Sequence, residues 1–255
     1  MLSVLSPAKT LDYETPATTD TLTTPDFLDE SAELVEVMKK KSAKQIAKLM
    51  GVSEKLATLN HERFQAWESP MPSGLVKQAV LAFKGDVYLG LEAETLTAKQ
   101  LDYAQTHLRI LSGLYGVLRP LDAMLPYRLE MGAKLKTKRG KDLYSFWGSQ
   151  LTDAVNEQLA STKSKYLVNL ASNEYFNSLQ AKDIEAQIIS PTFKDMSNGK
   201  YKMISFFAKK ARGMMAAYLI RGRVKTLKKL TAFDVDGYRY DADSSTETNP
   251  VFLRG

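Results

Sequence analysis

A chain of 255 residues, 44% apolar and 25% charged, has the composition of an ordinary globular protein and is long enough to bury a core without covalent staples. It has no cysteine, which removes disulfides, thiolate metal sites and thiol redox chemistry, and only two histidines, His61 and His107, neither at ligand spacing. The net charge of +6 is modest but unevenly placed: Lys9 is the only base before Glu36, whereas Met196 to Phe233 holds ten Lys/Arg and no acid.

The first predicted element is a buried strand, Leu2–Leu5. The opening residues lack the basic start and long apolar run of a signal peptide, and no apolar run approaches the ~20 residues of a membrane span. A cytoplasmic location without a membrane partner is therefore expected. Spacing near 3.6 predicts helices over Asp29–Lys41, Ala43–Met50 and Ser53–Trp67. The Glu68–Gly74 stretch, rich in Pro, Ser and Gly, reads as a linker that ends this helical portion. Short apolar runs predict strands at Ala79–Phe83, Leu108–Leu111, Tyr166–Leu170, Ile184–Ile189 and Tyr201–Phe206. Helical spacing returns at Ala98–Thr106, Leu143–Leu159 and Phe207–Ile220. Phe233–Tyr240 reads as a hairpin turning at Asp236-Gly237. The expected fold is mixed α/β, a mixed sheet covered by helices. It forms one domain over 1–255 with a helical subregion at 29–67.

Four constellations carry candidate chemistry. Ile46–Ala57 resembles a helix-hairpin-helix, in which Gly51, Val52 and Ser53 turn the chain and the next helix start offers backbone N–H groups to a phosphate, aided by Lys48 and Lys55. Ser53 stands where the motif has its second glycine, and a plain capped hairpin is the alternative reading. Next, several apolar runs end in polar loops. If their strands run parallel, Lys9, Lys84, Asn173 and Tyr175 converge on one crevice; if the strands alternate in direction, these residues split between two edges. The third is the Gly- and Pro-rich stretch from Gly113, which presents Arg119 and Arg128 either to an anion or to the nearby Asp122 and Glu130. The last is a helix start with Lys209, Lys210 and Arg212 and no nearby acid in sequence, a set a bound anion would neutralise. Carboxylates Asp12, Asp86, Glu130 and Glu174 are a weaker option for iron.

No Gly-x-x-x-x-Gly-Lys-Ser/Thr loop, Gly-x-Gly-x-x-Gly or Gly-x-Ser-x-Gly motif occurs, so ordinary kinase, dehydrogenase and serine-hydrolase readings lack support. No cofactor is expected, and whether the chain is an enzyme stays open. Two readings fit: a DNA-binding protein of little sequence preference, or an enzyme acting on a nucleotide or other phosphorylated small molecule.

Long ordered phrases carry a resemblance. Leu5-Ser-Pro-Ala-Lys-Thr-Leu-Asp12-Tyr13, Ala82-Phe-Lys-Gly-Asp-Val-Tyr88, Leu111–Asp122, Tyr127–Gly132, Gly140–Tyr144, Phe146–Gly148, Asn169–Phe176 and Ile204–Gly213 together resemble the YaaA family of bacterial peroxide-stress proteins. The resemblance implies a cytosolic protein that limits peroxide damage, is connected with lowering free intracellular iron, and binds DNA through a helix-hairpin-helix and a basic cleft. Carried over by position, the hairpin is Leu49 to Ala57. The cleft bases are Lys9, Lys84, Arg119, Arg128, Lys209, Lys210 and Arg212.

Overall fold

A computed structural model describes residues 1–255. The chain begins with β1 (Leu2–Leu5), then β2 (Thr10–Leu11), and three helices, α1 (Leu28–Lys39), α2 (Ala43–Met50) and α3 (Glu54–Gln65). There follow β3 (Lys77–Gln78), α4 (Ala79–Ala82), β4 (Phe83–Lys84), α5 (Asp86–Leu91) and α6 (Ala98–His107). The middle of the chain supplies β5 (Leu108–Ser112), β6 (Gly116–Leu118), β7 (Ala123–Met124), α7 (Leu143–Trp147) and α8 (Gln150–Ser161). The last third holds β8 (Tyr166–Leu170), α9 (Asn173–Phe176), β9 (Gln187–Ile189), β10 (Thr192–Ser197) and β11 (Lys200–Lys202). It ends with α10 (Ser205–Arg221), α11 (Leu227–Leu230), β12 (Arg239–Asp241) and β13 (Val251–Arg254).

The central sheet runs β6-β5-β1-β8-β9. β1 pairs in parallel with both β5 and β8, β8 pairs in parallel with β9, and β6 is antiparallel to β5. All four residues of β1 are buried, as expected of a strand flanked on both sides and covered on both faces. A second sheet, β11-β10-β13-β12, closes the C-terminal part. One continuous core joins the two ends of the chain, from Leu2 and Val4 through Leu34 and Phe64 to Phe193 and Phe252. Mixed α/β is therefore the fold class, as the alternation of patterns predicts.

Several elements depart from the sequence reading. Ala79–Phe83 is not a strand: Ala79–Ala82 forms one helical turn between two short ribbons, because an apolar run this short has no period of its own and Ala and Leu favour helix. The stretch Leu143–Leu159 breaks at Gly148, whose φ of 54° ends α7. Lys200–Lys202 is strand, but Ser205 already begins α10. Asp236 and Gly237 do take positive φ, 55° and 79°, yet no hairpin spans Phe233–Tyr240. Instead β12 pairs with β13, and Phe233 packs edge-on against Phe193, Tyr218 and Phe252. The Glu68–Gly74 stretch separates no second core, since Trp67 before it is buried and donates its indole N–H to the Tyr115 hydroxyl at 2.9 Å.

Candidate anion-binding cleft

The parallel pairing of β1 with β8 brings two strand ends to one edge of the sheet, where open α/β sheets place their ligands. The chain leaves β1 at Ser6 and β8 at Ala171. Ser6 stitches the two loops: its Oγ accepts the Ser172 backbone N–H at 2.9 Å and donates to Ser172 Oγ at 3.3 Å. The Tyr88 hydroxyl holds the Ser6 carbonyl at 3.1 Å. Just beyond, β2 pairs with β4, which carries Lys84 to the same edge opposite Thr10.

The far wall comes from α10, and two glycines let it approach. A Cβ on Gly213 would lie 1.7 Å from the Val87 carbonyl, and one on Gly90 would lie 2.0 Å from the Lys210 carbonyl. Helices α5 and α10 thus touch backbone to backbone. This close crossing sets Lys209 and Arg212, which share a face of α10, over the loop after β1. The result is a cleft of about 530 Å³ lined by Ser6, Lys9, Lys84, Asp86, Ser172, Glu174, Tyr175, Lys209 and Arg212, among others.

The charges in it are not equivalent. Lys9 pairs with Glu130 at 3.1 Å, Lys84 with Asp12 at 3.0 Å, and Lys209 loosely with Asp86 at 3.9 Å. Exposed pairs of this kind contribute little and exchange partners readily. Arg212 differs: it is half-buried, no carboxylate faces it, and burial alone pulls its pKa below the ordinary arginine value. A desolvated guanidinium without a counter-charge is the costly state that a bound anion relieves. Tyr175 is buried beside it, and burial, with help from the neighbouring tyrosine and acids, holds its phenol well above the usual range. It therefore stays protonated, available as a hydrogen-bond donor rather than as a base.

Of the residues the sequence singles out, Lys9, Lys84, Tyr175, Lys209 and Arg212 come together here. Arg128 lies at an adjoining recess of about 60 Å³ with Lys9 and Tyr175, bound to Glu130 at 2.9 Å. Asn173 opens α9 exposed and does not line the cleft. Lys210, one residue round the helix from Lys209, borders a different depression with Leu89, Met214 and Tyr218.

Arg119 is a correction. Its backbone N–H and Nε both bind the Asp122 carboxylate, at 2.7 and 3.0 Å, and its Nη2 meets Thr24 O and Asp26. Asp122 is fully buried, and burial raises its pKa despite these bonds, so Arg119 is committed to holding that charge. The hairpin also stands apart. Gly51 ends α2 with φ 61°, and Ser53 caps α3 by accepting from Leu56 N–H at 3.4 Å. Lys48 and Lys55 lie exposed on the helical portion and Val52 packs half-buried against the core, none of them on the cleft. Asp12, Asp86 and Glu130, considered for iron, each hold a lysine, while Glu174 accepts from Gly132 N–H at 2.9 Å.

Ser6, Gly85 and Ser172 line the cleft without being candidates in the sequence, and Asp86 and Glu174 line it although the sequence suggested them only for iron. For Ser6 and Ser172 the available signal was position, each being the first polar residue after a strand, β1 and β8.

The fold and the cleft define an α/β protein with a cationic crevice at the carboxyl ends of parallel strands. The family model described as "Peroxide stress protein YaaA" matches residues 1–244. The UPF0246 protein PSHAa2558 of Pseudoalteromonas translucida (strain TAC 125) is 57% identical over 255 residues, covering 100% of this chain and 98% of the relative. The chain belongs to the YaaA family of peroxide stress proteins.

Proposed function

We propose that the cleft receives a phosphate of DNA, and that this peroxide stress protein binds DNA with little sequence preference. The half-buried, unpartnered Arg212 guanidinium carries this reading. Lys9, Lys84 and Lys209, whose ammonium groups are exposed, can turn to the same phosphate. The bases outside the cleft favour a polyanion over an isolated ion. Across Met196–Phe233, only Lys209 and Arg221 have a carboxylate within 4.0 Å. No recognition helix with base-reading side chains is evident, so contacts to the phosphate backbone would dominate. Without cysteine the chain cannot reduce peroxide as a thiol peroxidase, which suits protection acting through DNA or iron. The iron link that the resemblance implies is assigned to no residue.

The test is anisotropy of labelled duplexes of unrelated sequence over a salt series. We expect similar affinities on every sequence and a steep fall with salt, since each neutralised phosphate contributes a slope of about −0.9 in log K against log salt. Affinity insensitive to salt would overturn the reading.

A second reading has its own support. A volume of about 530 Å³ is that of a small-ligand site, and Asp86 and Glu174 on its wall would repel a continuous phosphate backbone. On that reading the cleft takes a nucleotide or another phosphorylated small molecule and the protein is an enzyme. Thermal stabilisation by mononucleotides that duplex DNA fails to reproduce would favour it.

A further inference from the structure

A second pocket lies away from the cleft, where the end of α3 meets the segments around Tyr13, Gly74–Val76 and Leu125-Pro126. Its volume is about 310 Å³, at the small end for a ligand site, and six of its nine lining residues are hydrophobic. Trp67 and Leu125 form buried walls, and the Tyr13 hydroxyl is turned away into a 2.7 Å bond to the Met124 carbonyl. At the rim Leu75 is 60% exposed, more than any other large apolar side chain of the molecule.

The only charged residue lining this pocket is Arg63, on the last turn of α3. It is half-buried, no carboxylate faces it, and burial pulls its pKa down with only the Tyr13 phenol opposing. An apolar hollow with one unpaired guanidinium asks for a ligand with an apolar body and one planar negative group. A carboxylate meets the guanidinium fork with two parallel hydrogen bonds and a single charge. A doubly charged phosphate would have to shed more water against Trp67, Leu75 and Leu125. We propose that this pocket is a binding site for a small monocarboxylate with an aromatic or branched apolar body, held by Arg63 and packed on Trp67. This site is independent of the DNA reading, since it shares no residue with the cleft.

Trp67 reports on its own pocket, because the other tryptophan, Trp147, does not line it. The experiment is a titration of the full-length protein with phenylacetate, phenylacetamide and phenyl phosphate, read by tryptophan fluorescence and in parallel by calorimetry, which measures binding whatever the origin of the optical signal. Phenylacetate should give a saturable change in both. Phenylacetamide should bind about tenfold more weakly, as should phenylacetate to Arg63→Gln, since each removes a charge-assisted pair. The amide comparison uses the native protein, so it decides the matter even if Arg63→Gln folds poorly. No saturable change, equal affinity for acid and amide, or tighter binding of phenyl phosphate would each overturn the proposal.

Discussion

The cleft and the α2–α3 hairpin both gather basic side chains, and by residue type they look alike. They differ in what is left over after local pairing. At the hairpin, Ser53 Oγ takes the Leu56 N–H, and Glu54 puts a negative charge in the first turn of α3, where a phosphate would have to sit. The turn itself is open, with nothing near a Cβ placed on Gly51, so that glycine serves its φ of 61° and no close approach. In the cleft the account does not close, since Arg212 is desolvated and faces no acid. Arg119 extends the contrast, being an arginine of equal promise in sequence that is fully engaged by Asp122, Asp26 and Thr24. A binding site is marked less by the presence of cations than by an unmet charge.

The largest effect should come from the engaged arginine. Arg119→Met leaves the buried Asp122 without its main counter-charge and should destabilise the fold by about 3 kcal/mol in chemical denaturation. DNA affinity of the remaining folded protein should hold. If stability is unchanged and binding falls, the assignment of Arg119 to structure fails. Arg212→Met should do the reverse: affinity for duplex DNA drops at least tenfold, about 1.4 kcal/mol, with no loss in denaturation midpoint. Stability should hold or rise, because a desolvated charge has been removed. Lys48→Gln with Lys55→Gln tests the hairpin, and less than a twofold change is expected in the same assay. A drop as large as that from Arg212→Met would make the two regions equal partners and erase the distinction.

The smallest effect concerns Asp12, which holds Lys84 at the cleft mouth. The Thr15 backbone N–H, the Lys84 ammonium and the Thr15 hydroxyl keep its carboxyl well below the usual range. Its folded value is thus below its unfolded one, so its stabilising contribution is complete above the ordinary value of about 3.9 and is lost as pH falls below that. Asp12→Asn should flatten the decline of stability between about pH 4 and pH 2. An unchanged acid limb would show that this carboxylate gains nothing from its bonds.

Much of this was open to reading before any fold was known. Runs such as Leu2–Leu5 and Tyr166–Leu170 are strands because short, mostly apolar stretches suit a sheet covered on both faces, and Ser53 caps α3 because its side chain accepts an orphan N–H group that follows. Ordered phrases such as Ile204–Gly213 carried the family. Strand direction was not available, and neither was the one-turn helix Ala79–Ala82, since a four-residue run lacks the length to show a period. Residue types and local elements follow from the chain itself, through steric preference and hydrophobic period, which act over a few residues. Which cations share a crevice, and which of them an acid has already claimed, depends on groups more than a hundred residues apart, such as Lys9 with Glu130 and Ser6 with Ser172. Only the parallel register of β1 with β8 and the glycine-permitted crossing of α5 with α10 bring such groups within bonding distance.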